Sequence, residues 1–539
     1  MDHLTFPKDH FTLETHVYQG KEIVYRYYRN LPYCTSPVDP KYATMNVKEP
    51  VRIDGREVDT TDAPILFGIG CAGFLSTTAE SGGSFAPPAG AAGPGGPGGP
   101  GGPGRMPGGP GGPGGMPGGP AKAASQITSS EEWEAMAGGE GHMGGGIMGN
   151  ATLGSYRALG GPGGPGGPGP GGDGEESAPP DGSRWSRLAM GLVVVEVGCR
   201  GRENQFPDGT FYGKAPAAVT DLKAAIRYIR HNKGTFPGNC ERIITTGGSG
   251  GGWQSTLVAA SGNCAFFEPA LEAIGAAKER DDVFASYSTS PIIDHENADG
   301  AIEWQGGCLI TDPTRRAWSD HMAGEFAAYL AECGLRGRNG YGVLTTENLG
   351  AYIAREYLEP DAERYLAALP AQKREAYLAD HPWVSYDGTK ASLRFEDFGA
   401  YATRDARVPS FDDLGLEQPG PNLYGDASTA ARHFTDYALQ LATGDPTARI
   451  SQDLRDIVHS QNPTWHILRH HSDPAPHWWI RHGACDPCLA VPPAVLLATA
   501  LENEGKDVNC RLVWDGGHCP NDDDEDFLAW IGEITGYSL

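Results

Sequence analysis

Three residues, far apart in the chain, are of the right types to perform nucleophilic acyl chemistry together. Ser249 lies in the pattern Gly247-x-Ser249-x-Gly251, directly after the β-branched run Ile243-Ile-Thr-Thr246 and before a helix-forming stretch from Trp253 to Ala260. A strand that turns sharply into a helix needs glycines beside the turning residue, because side chains there would clash. The serine is then held exposed at a helix N-terminus, where free amides favour negative charge. The plainer reading is a glycine-rich turn with a serine cap. A serine hydroxyl is a poor nucleophile without a base held by a third group. Two loops offer that pair: Gly483-Ala-Cys-Asp486 and Asp515-Gly-Gly-His518. His518 would take the serine proton and later return it to the leaving group, while Asp486 would fix the ring tautomer. Rivals for the base are His295, in a polar loop and expected at the surface or against substrate, and His482, at a strand end. Asp515 rivals Asp486 but sits three residues from His518 and is expected to shape that loop.

An acyl-transfer site also needs hydrogen-bond donors for the oxyanion. The Gly250 amide is one candidate. The second falls within Gly70-Cys-Ala-Gly73, a glycine-rich loop after the apolar run Ala63 to Phe67, with Cys71 as the choice and an ordinary turn as the alternative. Cys485 and Cys519 flank the proposed acid and base. A disulfide between them and two reduced thiols are both open readings. Cys485-Asp-Pro-Cys488 lacks a second ligand pair for zinc. The chemistry requires neither metal nor organic cofactor.

Working back to the elements, Leu192 to Val197 predicts a strand, Asp221 to Arg230 an amphipathic helix with apolar groups at 222, 225, 226 and 229, and Ile243 to Thr246 the strand before the serine. Strand, helix, strand and helix in this order form a parallel βαβ arrangement. The chain order serine, aspartate, histidine, with the last two after the final strands, is that of the α/β-hydrolase fold. The fold class expected is therefore α/β, with a mostly parallel central sheet and a largely helical inserted cap. The expected organisation is 1–85 for N-terminal strands and the oxyanion loop, 86–178 for an insertion, 179–299 for the core with the serine turn, 300–460 for the cap, and 461–539 for the rest of the core.

Residues 81–180 hold 37 of the chain's 78 glycines. Without a strict three-residue period they are not collagen, and they cannot bury enough apolar surface to offset ordering. We read 86–127 and 160–178 as disordered surface insertions, with a short helix at Glu131-Glu-Trp-Glu-Ala-Met136 between them. The net charge of -26 argues against nucleic acid and anionic membrane as partners and leaves a small-molecule ester. With no basic-then-apolar leader and no apolar run of about 18 residues, the expected location is cytoplasmic.

Several segments resemble the bacterial tannases, serine esterases of the α/β-hydrolase superfamily. They include Gly201-Arg, Gly213-Lys-Ala-Pro-Ala-Ala, Phe267-Glu-Pro-Ala-Leu, Glu296-Asn-Ala-Asp299, Val408-Pro-x-Phe-Asp412, Asn422-Leu-Tyr-Gly-Asp426 and His477-Trp-x-Ile-Arg-His-Gly-Ala-x-Asp486. The resemblance covers nearly the whole chain outside the glycine-proline tract. It implies hydrolysis of galloyl and related phenolic esters, with Ser249, Asp486 and His518 as the triad. It also implies three gallate-reading side chains that this sequence departs from. Cys488 stands where the family has an aspartate, Ala406 beside Arg407 where it has a lysine, and Gly420 near where it has a glutamate. Tyr287, Trp304 and Trp478 are candidates to line an apolar substrate pocket, with Arg407 and Cys488 as further contacts. The expected function is a serine carboxylic-ester hydrolase acting on a phenolic or other aromatic ester through an acyl-enzyme. Alternatives are a tannase proper, a peptidase or thioesterase of the same fold, and a non-catalytic binding or scaffold protein.

Overall fold

The structure, a computed structural model, describes residues 4–80, 182–402 and 407–539. The insertion, its expected helix at 131–136 and Ala406 lie outside the described residues. The chain opens with β1 (Thr12–Tyr18) and β2 (Lys21–Pro32), an antiparallel hairpin. Its turn places Gln19 at φ 49° and Gly20 at φ 81°. Positive φ at both central residues gives the turn a twist that matches that of the flanking strands. Strand β3 (Thr44–Ile53) pairs with β2, and the two-residue β4 (Arg56–Glu57) folds back on β3. Then come β5 (Ile65–Ile69), β6 (Val193–Val197), β7 (Ile243–Gly248) and β8 (Ala285–Thr289).

Between β8 and the next strand of the main sheet lie helices and two small ribbons. The ribbons are β9 (Arg336–Gly337) with β10 (Gly342–Val343), and β11 (Ser385–Tyr386) with β12 (Ala391–Ser392). Strands β13 (His477–Gly483) and β14 (Asp507–Val513) complete the sheet. Its order is β1-β2-β3-β6-β5-β7-β8-β13-β14, with β4 beside β3. From β6 to β14 every pairing is parallel, whereas β3 meets β6 antiparallel. Strands β5, β6 and β8 are buried at every residue, which is why β5 does not alternate and β6 breaks its apolar run only at Glu196, whose carboxylate pairs with Lys48. This is the α/β-hydrolase architecture with a helical cap between β8 and β13.

The helix Ala217–His231 departs from the expected amphipathic pattern. Its apolar positions 222, 225, 226 and 229 are fully buried, but so are its charged ones. Asp221 accepts from Arg200, Lys223 Nζ lies 2.7 Å from Asp281 Oδ1, and Arg227 Nε donates to Asp281 at 2.8 Å. Periodicity reports a polar face but not that neighbouring elements cover it with opposite charge. Lys223 also donates to the Ser261 carbonyl, 2.6 Å away, at the C-terminus of the Gly250–Ala260 helix. A cation there complements the helix dipole.

The cap is tied down by buried carboxylates. Asp299 accepts from the backbone amides of Ser410, Phe411 and Asp412 at 2.7, 2.7 and 2.9 Å. Asp412 in turn accepts from the amides of Phe434 and Thr435. Asp361 takes the Trp514 amide at 3.0 Å and the Arg511 guanidinium, joining a cap helix to β14. No helix among the described residues is long and apolar enough to cross a membrane.

Candidate active site

Six loops that leave parallel strands meet at the carboxyl edge of the sheet, the edge where open α/β sheets bind ligands. Strand β7 delivers Ser249 onto the first turn of the helix Gly250–Ala260. Ser249 has φ 55° and ψ -124°, a conformation costing a non-glycine residue about 1–3 kcal/mol. Its neighbours allow it. A Cβ on Gly247 would stand 2.3 Å from the Gly251 carbonyl oxygen, and one on Gly250 would stand 2.3 Å from that of Cys71. The Ser249 amide donates to the Thr289 carbonyl at 2.9 Å, which fixes the turn against the end of β8.

The loops after β13 and β14 are bonded to each other as well as to the sheet. The Cys485 amide donates to Gly516 O at 2.9 Å, and a Cβ on Gly483 would come within 1.9 Å of Gly517 O. This close approach brings Asp486 and His518 together. His518 Nδ1 is 2.7 Å from Asp486 Oδ2, and His518 Nε2 is 2.8 Å from Ser249 Oγ. A carboxylate only accepts, so Nδ1 carries a proton and donates to it. In the neutral ring Nε2 is then the acceptor of the serine O–H. Asp486 is buried, and its Oδ1 accepts the Cys488 amide at 2.9 Å. Burial by itself would raise the Asp486 pKa, but the charge and hydrogen bond of His518 outweigh it and hold the carboxyl below its ordinary value. Burial likewise opposes a charged His518 ring, and the Asp486 carboxylate outweighs that too, holding the imidazole well above its ordinary value.

The amide of Gly250 starts the helix and has no intrahelical acceptor. In the facing loop the Ala72, Phe74 and Leu75 amides are used in turns, while the Cys71 amide has no backbone acceptor among the described residues. A Cβ on Gly251 would lie 3.5 Å from Cys71 N, so this amide flanks the serine turn. The Cys71 thiol points away, into the core, 3.0 Å from the Cys199 sulfur.

The remaining sequence candidates separate. Tyr287 is no pocket residue. It is buried on the other face of the sheet, its ring 4.2 Å from Phe527. Trp478 is also corrected, being fully buried with Nε1 donating to the Ala475 carbonyl. Neighbouring strand residues point to opposite faces, and here both faces are core. The Trp304 ring is committed to cap packing, 5.7 Å from Phe326 and 5.2 Å from Phe395. Arg407 is exposed at the edge of a segment outside the described residues. Of the five, Cys488 does lie at the site, its sulfur within 4.8 Å of ligand atoms of Asp486 and His518. At Gly420 a Cβ would already stand 3.0 Å from the Phe411 carbonyl and the Phe434 ring, leaving no room for a longer side chain.

The disulfide reading of Cys485 and Cys519 gives way to two reduced thiols, not bridged to each other. Cys485 faces Asp515 and Tyr401, where burial and the Asp515 charge push its pKa up to about 12. Cys519 instead turns its sulfur toward the Thr289 carbonyl at 3.8 Å. His295 is not at the surface either. It is buried, donating from Nε2 to Ile292 O and accepting at Nδ1 from Tyr424, and burial pushes its pKa down to about 4.

Three supporting residues had no role in the sequence reading. Ser290 Oγ accepts the Cys519 amide at 2.9 Å and so orients the loop carrying His518. Tyr401 donates from the cap to Asp515 Oδ1 at 2.8 Å. Arg202 donates to Gly73 O at 2.8 Å through Nε and to Phe74 O at 3.0 Å through its amide, clamping the loop of Cys71. Only the Gly201-Arg pair carried a signal in sequence, as a family-like segment without an assigned task.

The family model BD-FAE matches residues 210–301. No curated protein matches the chain. Among solved structures the chain is similar to the native tannin acyl hydrolase from Lactobacillus plantarum, at 27% identity, TM-score 0.72 and coverage of 99% of both chains. A tannin acyl hydrolase in complex with ethyl gallate matches at 27% identity and TM-score 0.72, again over 99% of each chain. The tannase of Fusobacterium nucleatum, at 23% identity and TM-score 0.73 over 99% of both, shares the fold.

Proposed function

We propose that this chain, a tannase-like serine esterase of the α/β-hydrolase superfamily, hydrolyses esters of aromatic carboxylic acids through an acyl-enzyme on Ser249. The observation that carries the assignment is the unbroken relay from Ser249 Oγ through His518 to Asp486, at 2.8 and 2.7 Å. Ser249 attacks the ester carbonyl as His518 Nε2 takes its proton. Asp486 stabilises the imidazolium and keeps Nδ1 as the donor. The amides of Gly250 and Cys71 receive the oxyanion, each contributing on the order of a 10²–10³-fold rate effect. His518 then gives its proton to the departing alkoxide. A water molecule attacks the acyl-enzyme by the same route and releases the acid.

The likeness to a tannin acyl hydrolase that binds ethyl gallate supports a phenolic acyl group. The thiol of Cys488, near Asp486 and His518 where the tannases have a carboxylate, argues for weaker selection of ring hydroxyls than in a galloyl esterase. The direct test is turnover of an activated aryl ester by the wild type and by Ser249→Ala. Loss of at least about 100-fold is expected, and equal rates would refute the assignment. A panel of galloyl, protocatechuoyl, feruloyl and acetyl esters then reads acid preference. A strong galloyl preference would overturn the reading of Cys488.

A further inference from the structure

A second cluster of metal-ligating side chains lies at the opposite end of the helix that begins beside Ser249. Helix Gly250–Ala260 ends at Ser261, and Cys264 follows in the next turn. Helix Pro463–Arg469 packs beside it, with His466 in its last turn. His470, at φ 52°, turns the chain back and delivers His471. One ligand atom each of Cys264, His466 and His471 lies within 4.8 Å of the others, and His466 Nδ1 is 3.1 Å from His471 Nε2. Cys264 and His466 are buried, while His471 is exposed.

The hydrogen bonds prepare His466 as a ligand. Its Nε2 is 2.9 Å from the Ser460 carbonyl, which only accepts, so the ring proton sits on Nε2. The Nδ1 lone pair is therefore aimed into the cluster. A ring held in one tautomer by a backbone carbonyl behind it is the usual support of a metal-bound histidine. Spacing agrees as well. With Zn–N bonds of about 2.05 Å in a tetrahedral site, two ligand nitrogens stand about 3.3 Å apart. A bond from His471 Nε2–H to His466 Nδ1 accounts for the two rings in the metal-free protein. It leaves a buried thiol beside them that the catalytic machinery does not use.

We propose that Cys264, His466 and His471 form a structural site for a zinc-like divalent cation, with water completing the shell. Thiolate and imidazole together favour zinc over magnesium or calcium. On binding, the Cys264 thiol releases its proton to solvent, and the exposed His471 ring moves its proton from Nε2 to Nδ1. No electron transfer is involved. The nearby Lys223 ammonium is already balanced by Asp281, at 2.7 Å. The site lies roughly 16 Å from Ser249 along the helix, at 1.5 Å per residue, so the ion is a staple between two helices and takes no part in ester cleavage.

The test uses the full chain freed of metal by chelation. Zinc is titrated in competition with a chromophoric chelator, and cobalt is used as a spectroscopic substitute. One equivalent of zinc should bind, and cobalt should show tetrahedral visible bands with thiolate charge transfer. His471→Ala, at an exposed position, should weaken zinc by at least about 10-fold and leave aryl-ester turnover unchanged. Cys264→Ser should abolish the charge-transfer band. Cys488→Ser should keep it, which separates this cluster from the thiol near His518. Absence of stoichiometric zinc binding by the wild type overturns the proposal. So does binding that survives His471→Ala and is lost in Cys488→Ser.

Discussion

The helix Gly250–Ala260 has a histidine near each end, His518 and His466, and the two are supported in opposite ways. At the N-terminal end His518 has a carboxylate behind Nδ1, and the charge of Asp486 outweighs burial and raises the ring's proton affinity. At the C-terminal end His466 has a neutral carbonyl behind Nε2, and burial prevails, pushing its pKa down to about 3. His466 is fully buried and His518 mostly so, and both rings are held in one tautomer. The group behind the ring decides whether the imidazole is suited to accept a proton or to remain a neutral lone-pair donor.

Ser249→Ala removes the attacking oxygen and should have the largest effect, a loss on the order of 10⁵–10⁶-fold in kcat measured on an aryl ester. Asp486→Asn should convert the first kind of histidine toward the second. Roughly 10³–10⁴-fold of kcat is expected to go, because the amide no longer fixes the right tautomer. The pH profile gives the sign. His518 acts as base only when neutral, so kcat/KM rises as pH passes upward through its pKa. With that pKa raised by Asp486, the acid limb should lie above the ordinary histidine value of about 6.5. In Asp486→Asn the limb should move to lower pH, and a limb that stays in place would refute His518 as the titrating group.

Arg202→Ala should loosen the Cys71 loop and lower kcat by about 10-fold, less than loss of an oxyanion donor itself. Tyr401→Phe removes one hydrogen bond between the cap and Asp515 and should cost about 1 kcal/mol in denaturant unfolding. Smallest of all, His466→Gln should leave the acid limb of the ester profile where it is. A shift there would show that the two ends of the helix are electrostatically coupled.

The parallel strands were legible because apolar runs bounded by glycine have few other uses in a chain of this size. The serine turn was legible because glycine is compulsory beside it. That Ser249, Asp486 and His518 would meet could be read from chain order, since parallel strands deliver their exit loops to a common edge. Tyr287 and Trp478 were misread as pocket residues. An aromatic residue on a strand looks the same in sequence whether its face meets substrate or core. Ser290 and Tyr401 left no such trace, since each acts through one hydrogen bond to a loop distant in sequence, and Arg202 stood in a family-like segment that did not show its task.

What the amino-acid order alone determined is the alternation of strands and helices and the identity of the groups able to do acyl chemistry. Those follow from local steric rules and from the scarcity of polar residues at strand ends. Tertiary structure alone decided which thiols approach which histidines, which charged faces are covered, and what stands behind each imidazole ring. These depend on contacts such as that between Ser249 and His518, 269 positions apart, and no local pattern encodes a partner so far away.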